Sequence, residues 1–337
     1  MAARHRATIG LLIFCIVCFA IHVPLDNSVC DPKVWGKYRP ASQDSAGDNF
    51  FTKVFRGGGG TPAVFAMLGG QRYLVANILW NYSDVLFHKG KPYEMVPALD
   101  AAVTLNPSFT EAWSVYGWHV AWNLQSYEGD DIVLKAKRIE QGETIYRNAV
   151  IANPDKPRPY FDMAWLYITR EGNYQAALPY LRQVIEDRQH FKPMTPEEKK
   201  QTFNADPELI RERKWDPKIF GNRLAYVYKK LAIVTGKQDY FAKAIQAYKE
   251  SYQLDPTDKA GLTNAATLEK NRYSAAWLKK EQADEAQHRQ SFGMAPVDFA
   301  ESAKQGVQTV YTFEGSAPSP VIPPPSSAEY YGSSQRR

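Results

Sequence analysis

The stretch Thr110-Glu-Ala-Trp-Ser-Val-Tyr-Gly-Trp-His-Val-Ala-Trp122 decides the fold predicted for this chain. Its small and aromatic residues recur every three or four positions, so they share one face of a helix. Gly117 lies in that face and leaves room for a second helix to approach closely. The stretch therefore predicts a packed helix whose buried face consists of Ala112, Trp113, Tyr116, Gly117 and Val120.

Three similar helix endings lie around this stretch, namely Leu105-Asn106-Pro107, Ala152-Asn153-Pro154 and Leu254-Asp255-Pro256. Each predicts a stop, because a proline disfavours helical geometry in the residue before it. Together with these endings, the pattern Trp113-x-x-Tyr116-Gly117-x-x-Val120 resembles the first helix of a tetratricopeptide repeat. The resemblance implies an all-α solenoid built from helix pairs.

Offsets from this stretch place four helix pairs, starting near residues 76, 110, 158 and 218. The first interval is the 34 residues typical of the family, and the longer ones predict insertions near 125–137 and 190–215. Insertions in solenoids often carry recognition, and a tolerated surface loop is the alternative. A helical stretch over 259–290 loses its apolar periodicity and predicts a terminal capping helix. The solenoid domain is thus expected over 62–290.

An apolar run over residues 7–23 follows the basic Arg4-His5-Arg6. As a helix it would be about 25 Å long, so it would cross a bilayer with slight local thinning. The preceding cations keep the N-terminus cytoplasmic and send the rest of the chain across. We therefore predict a bacterial inner-membrane protein with one N-terminal transmembrane helix, in residues 1–24, and a periplasmic domain. A cleaved signal peptide is the alternative.

The three cysteines do not predict a redox or metal site. Cys15 and Cys18 lie inside the apolar run, where they behave as small apolar side chains. Cys30 lies just after it, as a free thiol or a disulfide between two chains.

Residues 25–61 contain prolines, mixed charge and Gly57-Gly58-Gly59-Gly60, and we interpret them as a linker. A phosphate-binding loop would need a strand and a Lys-Ser/Thr pair, which are missing. The segment 291–337 is rich in Pro and Ser and predicts a flexible tail.

No catalytic motif is present, and the six histidines lack metal-ligand spacing. We therefore expect no enzyme, no cofactor and no bound metal. The balance of 41 basic against 36 acidic residues is too even to predict nucleic-acid binding.

The family resemblance implies instead a concave groove, lined by the first helices, that binds other proteins. The offsets of the family place in it Trp80, Asp84, His88, Trp118, Trp122, Asp162, Arg170, Asn222, Tyr226 and Lys230. Aromatic groups with a few charges are typical of protein-binding hot spots. Burial of the tryptophans is the alternative. The family's carboxylate clamp is not matched, because only Asn222, Lys230 and Arg170 suit it.

These observations predict a membrane-anchored scaffold for protein assembly. The alternative is a permanent accessory subunit of a larger membrane complex.

Overall fold

The computed structural model describes residues 71–129, 131–204 and 213–308. The chain divides into two compact units, residues 1–152 and residues 153–337. Both are built from α-helices that pack in sequential pairs, which confirms the all-α prediction. The predicted membrane helix at 7–23, the linker at 25–61 and the end of the tail lie outside the described residues. Within the described ranges, no helix has the length and apolar character needed to cross a membrane.

The described part of the first unit, residues 71–129 and 131–152, contains five helices and a π-helical turn, each packed mainly on its neighbours in sequence. Helices α1 and α2 form one pair, and α3 packs with α5. The wide π-helical turn π1 directly continues α3. The elements are α1 (Arg72–His88), α2 (Pro92–Leu105), α3 (Thr110–Trp118), π1 (His119–Leu124), α4 (Gln125–Tyr127) and α5 (Ile132–Ala152).

The core of the first unit lies under α3, as the sequence predicts. All five residues of the predicted face are buried. A Cβ atom on Gly117 would overlap the ring of Tyr146 on α5, so the glycine does allow close helix approach. The Tyr146 hydroxyl donates to the backbone oxygen of Ser114 at 3.1 Å, which fixes the register of the two helices.

The second unit repeats the helix-pair arrangement and adds helices at its C-terminal end. Its helices α6, α7, α9, α10 and α11 pack one after another. The elements are α6 (Pro157–Leu166), the π-helical turn π2 (Tyr167–Glu171), α7 (Tyr174–Glu186), β1 (Lys192–Pro193), α8 (Pro196–Asn204), β2 (Lys214–Trp215), α9 (Pro217–Thr235), α10 (Gln238–Leu254), α11 (Lys259–Asn271), α12 (Ala275–Ser291) and α13 (Phe299–Gln305).

An equivalent hydrogen bond closes the proline-containing turn between two helices in each unit. The indole nitrogen of Trp113 donates to the backbone oxygen of Pro107 at 2.8 Å. In the second unit, the hydroxyl of Tyr160 donates to the backbone oxygen of Pro154 at 2.9 Å. Donor and acceptor are six residues apart in each case. At these two predicted helix stops, the hydrogen bond therefore also anchors the helix that follows.

The two ends of the insertion near 190–215 pair with each other. Strands β1 and β2 pair in parallel, with Lys192 opposite Lys214. Helix α8 starts with a capping box, in which the Thr195 hydroxyl accepts from the Glu198 amide at 3.2 Å and Glu198 accepts from the Thr195 amide at 2.9 Å. Lys199 on α8 reaches Asp255 at the end of α10, at 2.5 Å. The insertion is thereby tied to the helices on either side.

The C-terminal part differs from the sequence prediction in two ways. The helical stretch over 259–290 is divided at residues 272–274, where the Ser274 hydroxyl accepts from the Trp277 amide at 3.3 Å and starts α12. Residues 299–305, which we assigned to the tail, form α13 and pack on α9. The carboxylate of Asp298 caps α13 by accepting from the Glu301 amide at 2.8 Å. A local cap and long-range packing, both weak in the sequence pattern, account for this helix.

Candidate functional site

The predicted groove residues of the first unit lie on helices that face each other. The Phe87 ring on α1 packs on the His119 ring of π1, with 4.5 Å between centroids. Asp84 and His88 are exposed on the same helix as Phe87. Trp118, next to His119, is 45% exposed, an unusual state for so large an apolar side chain. An exposed aromatic group beside charged groups is the combination found at protein-binding hot spots.

The other two tryptophans predicted for the groove of the first unit, Trp80 and Trp122, are partly buried. Trp80 packs on the core at the Phe109 ring, with 5.2 Å between centroids. Trp122 is partly buried and its ring contacts that of Tyr146 at 6.4 Å. Trp80 and Trp122 are therefore partly buried against neighbouring aromatic rings, while Trp118 is exposed.

The π-helical turn explains why Trp118 and Trp122 differ. Residues four apart share a face in an α-helix, and this spacing predicted a single aromatic stripe. In a π-helix each hydrogen bond spans five residues instead of four, and such turns occur frequently at functional sites. Because π1 begins at His119, it separates the environments of the two rings.

His119 is the buried titratable group of this site. Burial lowers its pKa to about 4, against a smaller opposite effect from Asp84. Its Nδ1 is 2.8 Å from the side-chain nitrogen of Asn123, which places a neutral ring in a hydrogen bond. At neutral pH, His119 therefore holds Phe87 and Trp118 in place as an uncharged ring.

In the second unit, the predicted residues Asp162 and Asn222 make hydrogen bonds within their own unit. Asp162 accepts from Arg158 at 2.9 Å, one helical turn away. The side-chain nitrogen of Asn222 donates to Asp258 at 2.6 Å. These contacts hold the ends of α6, α9 and α11. Arg170 lies on π2, and burial lowers its pKa.

Lys230 and Tyr226 lie next to a buried carboxylate that the sequence did not single out. Glu285 on α12 accepts hydrogen bonds from Lys230 at 2.5 Å, from the Tyr174 hydroxyl at 2.7 Å and from Arg289 at 2.8 Å. The Glu285 side chain is completely buried. The Lys230 ammonium lies over the Tyr226 ring, 5.4 Å from its centroid. We call these five residues the Glu285 network.

The charges of the Glu285 network are mutually stabilised. Burial alone would raise the pKa of Glu285, but the charge and hydrogen bond of Lys230 outweigh it and the net pKa is lowered. Burial would likewise lower the pKa of Lys230, but the charge and hydrogen bond of Glu285, together with the effect of Tyr226, outweigh it, so the net pKa is raised. Burial and the Glu285 charge raise the pKa of Tyr174, so its hydroxyl remains a donor. The network therefore carries paired charges at neutral pH.

The network also joins the C-terminal residues to the turn after π2. Arg289 donates to the backbone oxygens of Ala295, at 2.7 Å, and of Gly172. Gln308 donates to the same oxygen of Gly172 at 2.5 Å and accepts from the Tyr174 amide at 2.8 Å. Gly172 has φ of 62°, a conformation that favours glycine. Sequence reasoning missed this arrangement, although Glu285 and Arg289 stand at the i, i+4 spacing of an ion pair.

A second cluster in this unit is aromatic and joins α6 to α9. The rings of Phe161 and Trp165 stack at 6.0 Å, and Phe220 meets Phe161 edge-on at 5.4 Å. The guanidinium of Arg223 lies over Trp165, with its Cζ 4.3 Å from the ring centroid. The sequence analysis did not select Trp165 or Arg223.

Among the described residues there is no group of three or more His, Cys, Asp or Glu placed to hold a metal ion. The arrangement offers surfaces and paired charges for recognition. No protein-family model matches this sequence, and a search of curated proteins finds no match.

Proposed function

We propose that this protein is a membrane-anchored scaffold of the tetratricopeptide type, which binds other proteins on the extracytoplasmic side of a bacterial inner membrane. The sequential helix pairs and the repeated proline-turn hydrogen bond support the repeat assignment. The anchor rests on the apolar run 7–23. The protein needs no cofactor for this role and performs no catalysis.

The observation that carries the proposal is the exposed Trp118, whose ring contacts His119, which in turn packs on Phe87 of α1, the helix that exposes Asp84 and His88. A tryptophan gains much free energy when a partner removes it from water, and truncation of such an anchor typically costs about 2 kcal/mol or more of binding. The buried His119 and the partly buried Phe87 hold this surface in one geometry, so little ordering cost opposes binding.

The test uses the full-length chain, crosslinked in its native membrane and extracted in mild detergent, with captured proteins quantified by mass spectrometry. We expect Trp118→Ala to lower capture of the specific partners by about 30-fold, as for a hot-spot residue. Trp118 is the better target than Trp122, because Trp122 packs on Tyr146 and its loss would disturb the fold.

The matched control is Tyr273→Ala, which removes a 73% exposed aromatic ring in the turn between α11 and α12. Capture by this variant should equal that of the wild type. If Trp118→Ala and Tyr273→Ala both retain full capture, Trp118 is not part of the binding surface.

A permanent subunit of a membrane complex is the second candidate function. Helix α1 exposes a row of apolar side chains at helical spacing, Leu74, Ile78, Tyr82 and Val85. Such a row on a soluble surface is typical of a lasting protein interface. In the same extraction, a constant set of membrane proteins at fixed stoichiometry would favour this candidate. Substoichiometric partners would favour the scaffold.

A further inference from the structure

Arg223 on α9 stacks on aromatic rings and has no carboxylate partner among the residues that the structure describes. Its guanidinium lies between two rings, 4.3 Å from the centroid of Trp165 and 5.8 Å from that of Tyr226. The side chain is partly buried, and its Nε atom is buried without a hydrogen-bond partner. Trp165 is itself held in place by stacking on Phe161. The guanidinium is therefore positioned, but its hydrogen-bonding capacity is not used.

Two other arginines of this protein, by comparison, have carboxylate partners. Arg138 pairs with Glu128 at 2.7 Å, and Arg289 pairs with Glu285 at 2.8 Å. Within residues 71–129, 131–204 and 213–308, by contrast, no carboxylate forms an ion pair with Arg223. Burial lowers the pKa of Arg223, as expected for a charge that has lost water and gained no opposite charge. Such a partly desolvated cation without an opposite charge retains the capacity to bind an anionic group of a ligand.

We propose that Arg223 binds a carboxylate group of a partner polypeptide, with Trp165 and Tyr226 contacting an apolar or aromatic side chain beside that carboxylate. This proposal rests on the proposed function as a protein-binding scaffold and names the chemistry of the segment bound. A guanidinium stacked on aromatic rings has its planar donors directed sideways, where a carboxylate accepts two of them. The site uses one stacked guanidinium in place of the several lysine and asparagine side chains of the family's clamp.

A carboxylate fits this site better than a phosphate group. A phosphate monoester carries nearly two negative charges at neutral pH, and proteins usually bind it with several cations or backbone amides. The nearby cation Lys230 is already paired with Glu285 at 2.5 Å. One remaining guanidinium therefore matches one negative charge.

The probes are two blocked peptides, acetyl-Tyr-Thr-Phe-Glu-Gly-amide and a neutral control with Gln in place of Glu. Binding of both to the full-length chain in detergent is measured by isothermal titration calorimetry. We expect the Glu peptide to bind about tenfold more tightly or better, because a charged hydrogen-bond pair is lost in the Gln peptide. Equal or undetectable binding of the two peptides to the wild type would overturn the proposal, as would displacement of the Glu peptide by an equal concentration of inorganic phosphate.

The variant Arg223→Gln assigns the preference to this residue. It should bind the two peptides equally, while the control Arg182→Gln should retain the wild-type preference. Arg182 is a suitable control because it is exposed on α7 and pairs with Glu186 at 2.7 Å. A preference that survives in Arg223→Gln would overturn the assignment.

A second measurement separates recognition from a structural role. Arg223→Met keeps an unbranched side chain that can pack against Trp165 but removes the unpaired charge. We expect its melting temperature to equal or exceed that of the wild type while the carboxylate preference is lost. A clearly lowered melting temperature would make Arg223 a structural residue and overturn the proposal.

The chain carries carboxylates of its own beyond residue 308, at Glu314 and Glu329. A Glu314→Gln/Glu329→Gln double variant should bind the Glu peptide with unchanged affinity. A raised affinity would show competition within the chain and overturn the assignment to a separate partner. The scaffold function is tested independently, because Trp118 lies in the other unit. If Trp118→Ala reduces partner capture but the wild type shows no preference for the Glu peptide, only the proposed Arg223 site is wrong.

Discussion

Glu285 provides the most demanding test of the structure, because the sequence suggests a solvated position and the structure buries it. Its carboxylate is completely buried and accepts hydrogen bonds from Lys230, Arg289 and Tyr174. The perturbation is Glu285→Gln, which keeps the size and shape of the side chain but removes its charge. The two cations then share a buried neutral amide.

The expected magnitude follows from the burial of all three charged groups. Removing one partner of a buried ion pair costs about 3–5 kcal/mol, because the remaining charge stays desolvated. Lys230 is 16% exposed and Arg289 only 1%, so little of this loss is relieved by water. At 1.36 kcal/mol for each tenfold change, about 3 kcal/mol corresponds to roughly 100-fold more frequent opening of α12.

Hydrogen exchange of backbone amides in the full-length chain measures this opening locally. A local measurement is needed because the chain forms two compact units, so a single unfolding transition is not assured. The matched control is Glu281→Gln, one helical turn earlier on α12. Glu281 is partly exposed and pairs with Lys229 at 3.4 Å. We expect it to change exchange by less than about fivefold, as for a surface ion pair.

The pH dependence has a defined sign. The net pKa of Glu285 is lowered in the folded protein, so its stabilisation is present above the unfolded pKa of about 4.3 and is lost as the pH falls through the folded pKa. The difference in the stability of α12 between wild type and Glu285→Gln should therefore have its full size at pH 7 and shrink below about pH 4. If Glu285→Gln raises the exchange rate of α12 by less than tenfold at pH 7, or if Glu281→Gln raises it equally, the buried network is refuted.

Two further predictions concern the first unit. Gly117→Ala should lower the stability of α3 and α5 by about 1–3 kcal/mol, because the added Cβ would overlap the Tyr146 ring; unchanged exchange of both helices would contradict this packing. His119 should destabilise the first unit in acid, because its pKa falls from 6.5 to about 4 on folding, so the unfolded state takes up the proton first. The loss of stability should reach roughly 3 kcal/mol between pH 7 and pH 4, measured by hydrogen exchange of α3. It should be absent in His119→Asn, and an exchange rate of α3 that does not depend on pH in the wild type would contradict the prediction.

The helices and their ends were predictable because the signals are local. The periodicity around Trp113 identified a buried face, and the structure buries each of its members. The prolines at 107, 154 and 256 marked real helix ends, since steric exclusion by proline depends only on the adjacent residue. Gly117 signalled close approach for a similarly local reason.

The candidate site was less predictable, because exposure depends on elements distant in the chain. The α-helical spacing placed Trp118 and Trp122 together, but the π-helical turn beginning at His119 gives them different neighbours. Trp165 and Arg223 were not selected from the sequence, and only the fold brings the Arg223 guanidinium over the Trp165 ring. Such contacts join residues about 60 positions apart, which periodicity along one helix does not reveal.

The sequence by itself therefore determined the all-α class, the helix pairs and the points where helices end, because these follow from backbone geometry and the spacing of apolar residues. Only the tertiary structure decided which charges are buried. A Glu and an Arg four residues apart look like a solvated pair on any polar helix. Glu285 and Arg289 became part of a buried network because α12 packs on α9 beside Tyr174, and a charge loses its water only where distant segments meet around it.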